Sequence, residues 1–243
     1  MGARPTPPGA ALPPVLLLDL DDTILDDSGG TVECWLTVCT QAARERPEVD
    51  AGGLHAAIET TRQWYWSDAE RHRVGRHDLR AASTRIATLA LRRLGVDDPA
   101  LAQRMGHGYR DLRDARVRPL PGAIGALGRL RAAGVTLGLI TNGAAASQRV
   151  KIEQFGLAAS FSYIGIEGEV GVGKPFPEAY LAALQALGCA AGDTWMVGDN
   201  LEWDVLAPQR LGIRGVWVNP AGVAPSDGAR PDRTIAALTE LLS

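Results

Sequence analysis

With 243 residues and 46% apolar side chains, the chain can build one large domain or a domain carrying a sizeable insertion. A net charge of -3 and a pI of about 5.8 exclude the broad basic surface that draws in nucleic-acid polymers or anionic membranes. The three cysteines, Cys34, Cys39 and Cys189, form neither a CxxC pair nor an even framework, which fits a reducing, cytoplasmic setting.

Residues 1–14, rich in Pro, Ala and Gly, predict a disordered leader without the apolar stretch of a signal peptide. Met1 to Thr6 formally fits the N-myristoylation pattern, a short motif that often matches by accident. No segment is apolar for long enough to span a bilayer. The run Val15-Leu16-Leu17-Leu18 then predicts a buried strand, extending to Asp19. It delivers Asp19, Asp21, Asp22 and Thr23 at its tip, a crowding of like charges that is costly without a compensating cation. Mg²⁺, a hard ion that prefers carboxylate and water oxygens, is the expected partner.

Residues 26–118 show no convincing strand but four amphipathic stripes. Val32, Trp35, Leu36, Cys39 and Ala43 form the first, and Leu54, Ile58, Thr61 and Tyr65 the second. Leu79, Ala82, Ile86, Leu89 and Ala90 form the third, and Leu101, Met105, Gly108 and Leu112 the fourth. Four such helices predict a small inserted bundle. Trp35 lies on its stripe and reads as core. Trp64 and Trp66 flank Tyr65 about 100° to either side, so partial burial at the bundle edge is expected, with a cleft or dimer contact as the alternative. The basic stretch from Arg71 to His77 reads as a solvated loop between helices, or else as a contact for an anionic substrate tail.

From Pro119 onward, strand-like runs alternate with helical ones. Strands are expected at Val135–Ile140, Ser162–Ile164, Thr194–Val197 and Gly215–Val218. Helices are expected near Ala123–Ala132, Ala144–Phe155, Pro177–Leu187 and Glu202–Leu211. This alternation predicts an α/β fold, a doubly wound parallel sheet with helices on both faces. With Val15 to Asp19 as a distant first strand, the core comprises 15–25 and 119–243, opened to admit the insertion.

In such sheets ligands bind beyond the carboxyl ends of the strands, so the polar residues there are the candidates. The first strand gives Asp19, Asp21 and Thr23. The second ends at Thr141-Asn142-Gly143 before a helix, where a hydroxyl and backbone N–H groups could hold a phosphoryl group. Lys174-Pro175 follows a glycine-rich loop, Gly168 to Gly173, and offers a compact positive charge. The fourth strand ends at Gly198-Asp199-Asn200, with Asp204 five residues beyond Asp199. Asp19 and Asp199 could grip Mg²⁺, and Asp21 could protonate a leaving oxygen and later deprotonate water. Taken singly, each piece has a plainer reading as an acidic loop, a turn, a solvated lysine or a helix-terminal aspartate. Their joint occurrence, in order and at strand ends or the adjoining loop, favours phosphate chemistry.

These residues resemble the four motifs of the haloacid dehalogenase-like hydrolases: DxDxT at Asp19, Asp21 and Thr23, Thr141, Lys174, and GDxxxxD from Gly198-Asp199 to Asp204. The resemblance covers nearly the whole chain after the leader. It implies a Rossmann-like core, a C1-type helical cap at 26–118, and Asp19 as nucleophile with Asp21 as general acid/base. It also implies Mg²⁺ held by Asp19, the Asp21 backbone carbonyl and Asp199, with Asp204 orienting Lys174 or a metal-bound water. Dehalogenases of the family generally carry an aromatic where this chain has Asp21. A phosphate ester's leaving oxygen needs a proton that a halide does not, so phosphatase chemistry is expected. The phosphonatase branch depends on a cap lysine, and the insertion has none. The expected substrate is a small phosphate ester of nucleotide, sugar-phosphate or phosphoglycolate type, handled by a monomer or homodimer. A phosphosugar mutase and a catalytically silent binding protein of the same fold remain the alternatives.

Overall fold

The structure is a computed structural model that describes residues 12–226 and 228–242. The lipidation pattern and most of the expected leader lie outside the described residues. Within the leader's last residues, the Pro14 carbonyl accepts the Thr136 N–H at 2.9 Å, so ordered structure begins before Val15.

Two compact units are formed, one from Met1–Asp26 with Arg118–Ser243 and the other from Asp27–Val117. In chain order the described elements begin with β1 (Val15–Leu18) and β2 (Leu25–Asp26). The helices α1 (Thr31–Glu45), α2 (Ala51–Ser67), α3 (Ala69–Gly75), α4 (Leu79–Arg93) and α5 (Pro99–Asp114) follow. Next come β3 (Arg118–Pro119), α6 (Ala123–Ala132), β4 (Thr136–Thr141), α7 (Ala145–Gln154), β5 (Tyr163–Ile166), α8 (Glu167–Val170) and α9 (Pro177–Leu187). The chain continues through β6 (Thr194–Gly198), a π-helical turn at Leu201–Leu206, α10 (Ala207–Gln209), β7 (Arg214–Val218) and β8 (Arg233–Ile235).

Among the described residues the first unit carries a six-stranded sheet in the order β5-β4-β1-β6-β7-β8, with every pairing parallel. β1 runs between β4 and β6 and all four of its residues are buried, as a central strand covered on both faces requires. On one face Leu17, Ile140 and Met196 pack against Ala179, Tyr180, Ala183 and Leu184 of α9 and Ala207 of α10. The register places Leu18 beside Leu139 on one side and Val197 on the other, so Asp19, Thr141 and Asp199 emerge at the same edge. That edge is where the strand order reverses around β1, the position at which open α/β sheets form a crevice.

Short polar segments depart from the expected pattern. β2 and β3 form a two-residue antiparallel ribbon, and β8 adds an edge strand; all are too short to leave a periodic signal. The expected helix from Glu202 to Leu211 is a wide π turn that passes into a three-residue helix. Pro208, which has no N–H to donate, lies inside that range. The glycine-rich loop expected from Gly168 starts instead with the single turn α8.

In the second unit α2 buries Leu54, Ile58, Thr61 and Tyr65, the expected stripe. α1 is rotated relative to expectation: Cys34, Trp35, Val38, Cys39 and Ala42 face inward, while Val32 and Leu36 are exposed. Trp35 stacks on Tyr109 at 4.0 Å between ring centroids. Helices α2 to α5 each begin at an aspartate, Asp50, Asp68, Asp78 and Asp98, whose side chain accepts a backbone N–H of the first turn. The Asp68 cap splits off α3, so Arg71 to Gly75 is helix where a loop was expected. Arg71 lies over the exposed Trp64 ring at 3.9 Å and donates to the Trp64 carbonyl, which ties this arginine into its own helix pair. Trp66 is partly buried against the core of the bundle. Among the described residues no helix is long and apolar enough to cross a membrane.

Candidate active site

The β1 ladder continues one residue past the strand, where the Asp19 N–H donates to the Val197 carbonyl at 2.9 Å. This fixes a buried carboxylate at the sheet edge. The chain then turns tightly: Asp22 takes a positive φ of 57°, and Ile24 and Leu25 both donate to the Leu20 carbonyl. Thr23 is buried, and its hydroxyl has no hydrogen-bond partner among the described residues.

Lys174 enters from the loop before α9 and is 1% exposed. Its ammonium donates at 2.6 Å to Asp19 Oδ1 and at 2.6 Å to Asp204 Oδ1. The loop that carries Lys174 is clipped to the end of β4 by the Asn142 amide. Its Nδ2 donates to the Lys174 carbonyl at 2.7 Å and its Oδ1 accepts the Lys174 N–H at 2.8 Å. A Cβ at Gly173 would lie 2.6 Å from Asn142 Oδ1 and from the Glu167 carboxyl carbon, so a side chain there would displace the clip.

Asp199 follows β6, and one oxygen each from Asp19, Asp199 and Asp204 lie within 4.8 Å of one another. Gly198 makes that approach possible: a Cβ there would sit 2.3 Å from the Asp204 carboxyl carbon. Both oxygens of Asp204 are engaged, Oδ1 by Lys174 and Oδ2 by the Asn200 N–H at 3.0 Å. Asp204 therefore serves as the anchor of the lysine and the turn, leaving Asp19 and Asp199 as the oxygen donors with capacity for a cation.

The electrostatics agree with a site built for added positive charge. Burial pushes the Asp19 carboxyl well above its ordinary range; Lys174 opposes the shift, while Asp204, Asp199 and Asp21 reinforce it. Burial also works against the Lys174 charge, but Asp19 and Asp204 outweigh it and hold the ammonium above the usual lysine range. Asp199 is pushed up to about 7 by burial, with Asp204 and Asp22 adding to the effect. A hard divalent ion fits this oxygen set and would relieve the crowding.

Asp21 turns toward the start of α7. Its Oδ1 accepts from Lys151 at 2.8 Å and its Oδ2 from Gln148 Nε2 at 2.9 Å. The same Gln148 nitrogen lies 2.7 Å from Thr141 Oγ1 and 2.8 Å from the Asn142 carbonyl. The Gly143 N–H, expected to face a phosphoryl group, instead donates to Glu167 Oε2 at 2.9 Å. α7 begins at Ala145 with Ala144 as its N-cap, so Asn142 and Gly143 belong to the loop and not to a helix N-terminus. Gln148, Lys151 and Glu167 were missed in the sequence. The signals for the first two are their spacing of three on a helix and, for Lys151, its being one of only two lysines in the chain.

A family description, haloacid dehalogenase-like hydrolase, matches residues 14–212. The chain belongs to that family. Among curated relatives of this haloacid dehalogenase-like hydrolase, a phosphoserine phosphatase of Thermus thermophilus is 34% identical over 258 aligned positions, covering 93% of this chain and 97% of that protein. A glyceraldehyde 3-phosphate phosphatase of Methanopyrus kandleri is 29% identical over 82% of this chain and 80% of its own. In fold the hydrolase is similar to YfnB of Bacillus subtilis, an HAD-hydrolase solved bound to magnesium, with a TM-score of 0.72 at 22% identity, covering 95% of this chain and 97% of that one.

Proposed function

We propose that this hydrolase cleaves small phosphate monoesters in two steps, with Asp19 as nucleophile and Mg²⁺ as cofactor. That the chain is a phosphate-ester hydrolase follows from its family and from its phosphatase relatives. The finer reading rests above all on one observation, the buried Lys174 ammonium bridging Asp19 and Asp204 with Asp199 alongside.

In the first step an Asp19 carboxylate oxygen bonds to phosphorus, the ester P–O bond breaks, and a proton from Asp21 passes to the departing oxygen. In the second, water attacks phosphorus, Asp21 takes its proton, and the Asp19–phosphorus bond breaks to release inorganic phosphate. Asp19 and Asp199 would hold the Mg²⁺, with the Asp21 carbonyl as a further donor. When bound, the ion neutralises charge on the phosphoryl oxygens and on the acidic cluster. Lys174 opposes the upward push of burial on Asp19 and adds positive charge beside it. Thr141 offers a hydroxyl to the phosphoryl group, Asn142 and Gly143 shape its loop, and Asp204 supports the turn and the lysine.

Phosphoserine and glyceraldehyde 3-phosphate, named for the relatives, join the nucleotide, sugar-phosphate and phosphoglycolate types as substrates to test. The decisive experiment is a phosphate-ester panel with Mg²⁺, run on the parent protein and on Asp19→Asn. The expected result is phosphate release that EDTA suppresses and that the variant lacks. Vigorous release by the metal-free protein or by the variant would overturn the mechanism, and isomer formation in place of release would indicate a phosphosugar mutase.

A further inference from the structure

The lysine usage of this chain is unusual. Of its 25 Lys and Arg residues only Lys151 and Lys174 are lysines. Both are buried, and both donate to a carboxylate of the strand-tip motif, Lys174 to Asp19 and Lys151 to Asp21. Everywhere else the chain uses arginine for positive charge. A lysine carries a compact ammonium on a slim stem, whereas a guanidinium is a broad planar fork, so the two positions accept a point charge in a confined space. Lys174 is absorbed by the reading above; Lys151 is not.

Lys151 and Gln148 lie three residues apart on α7, on the same helix face, and are 8% and 3% exposed. Burying a lysine and an amide costs free energy unless their polar atoms are engaged. Their partners converge on Asp21, one oxygen each. Gln148 does more, because the same nitrogen reaches Thr141 Oγ1 and the Asn142 carbonyl. The acid/base carboxylate and the hydroxyl offered to phosphate are thus tied to one side-chain atom.

Resting on the mechanism proposed above, we infer that Gln148 and Lys151 are positioning residues for proton transfer. They hold the Asp21 carboxyl in line with the leaving oxygen of a phosphoryl group seated at Thr141. Both act through Asp21, to whose carboxylate they donate. In the step in which Asp21 delivers its proton, their contribution depends on how much the leaving group needs one, whereas the later hydrolysis is the same for every ester.

That dependence supplies the test. Gln148→Leu, Lys151→Met and the double variant are assayed with Mg²⁺ on an alkyl phosphate, glycerol 2-phosphate, and on p-nitrophenyl phosphate, whose leaving group departs without a proton. kcat/KM reports the first irreversible step, in which the alcohol leaves. A misplaced acid/base group costs on the order of 10²-fold, so each variant should lose about that much in kcat/KM on the alkyl ester. On the aryl ester the loss should stay within a few-fold, and the double variant should lose little more than the worse single one, since both residues hold one carboxyl. Equal losses on the two substrates, as a general disturbance of the fold would give, overturn the assignment. So does an unchanged alkyl-ester rate. Acid-quench trapping of phosphorylated Asp19 in the parent protein is run alongside. If the parent forms no such adduct, the underlying mechanism falls and the positioning role with it. If the adduct forms and the substrate split is absent, only the positioning role is lost.

Discussion

Lys174→Met removes the one positive charge that two buried carboxylates share while roughly keeping the side chain's volume. The parent ammonium is 1% exposed and donates to both Asp19 and Asp204. Breaking a buried ion pair from one side costs ~3–5 kcal/mol, because the remaining charge stays desolvated. Two acids are stranded here, so a loss of about 4 kcal/mol is expected at pH 7.5, a large share of the ~5–15 kcal/mol typical of a folded protein. With a urea dependence of roughly 2 kcal/mol per M, the unfolding midpoint should fall by about 2 M when followed by circular dichroism without metal. The pH dependence has a definite sign. In the variant the native Asp19 carboxyl sits further above its unfolded value, so the native state gains protons as pH falls and recovers part of the lost stability toward pH 5. Saturating Mg²⁺ should recover part of it at pH 7.5 by supplying the missing charge. A midpoint within about 0.3 M of the parent, where ~2 M is expected from an unpaired buried charge, would refute the reasoning. A deficit that neither acid nor Mg²⁺ reduces would refute it as well.

Gly198→Ala should displace Asp204, whose carboxyl carbon lies 2.3 Å from the added Cβ. A destabilisation of ~1–3 kcal/mol in urea unfolding is expected from overpacking, together with a sharp fall in kcat as Lys174 loses its anchor. Asp199, pushed up to about 7, must shed its proton to bind a cation, so Mg²⁺ affinity should weaken about tenfold per pH unit below 7 in a titration. Without metal, the native state retains that proton between pH 3.8 and about 7 while the unfolded chain has released it, so stability should decline as pH rises through this window. The rise in Tm on adding Mg²⁺ should accordingly be larger at pH 8 than at pH 6. In the helical unit, Trp35→Ala removes a fully buried ring stacked on Tyr109 and should cost ~3–5 kcal/mol, seen as an earlier helical transition in thermal circular dichroism.

How much was legible follows from the kind of signal each residue leaves. Leu54, Ile58, Thr61 and Tyr65 announced their helix face because burial repeats with the helical period. The first stripe misplaced Val32 and Leu36 because Cys34, Val38 and Ala42 offer a competing face of smaller side chains, and packing in the bundle decided between them. Asp19, Asp21 and Asp199 could be collected from the sequence because each stands at or just beyond a strand-like run, Lys174 because it follows a glycine-rich loop before a helix, and Asp204 by its spacing from Asp199. Glu167 could not, since a glutamate opening a single helical turn resembles any surface acid until its oxygen is seen to meet the Gly143 N–H.

Apolar runs and their periods, which act over a few neighbouring residues, determined by themselves the α/β class, the buried central strand and the helical stripes. The motif residues likewise lie at strand ends or in the adjoining loop in the primary order. The strand order β5-β4-β1-β6-β7-β8 was decided only in three dimensions. So were the 2.6 Å contacts that bring Lys174 to Asp19 and Asp204, and the grip of Gln148 and Lys151 on Asp21. These pair residues from 30 to 155 positions apart, and hydrogen bonds of that separation have no counterpart in local composition or spacing. They exist because the parallel sheet brings the ends of β1, β4 and β6 to one edge, where burial makes every unpaired charge costly.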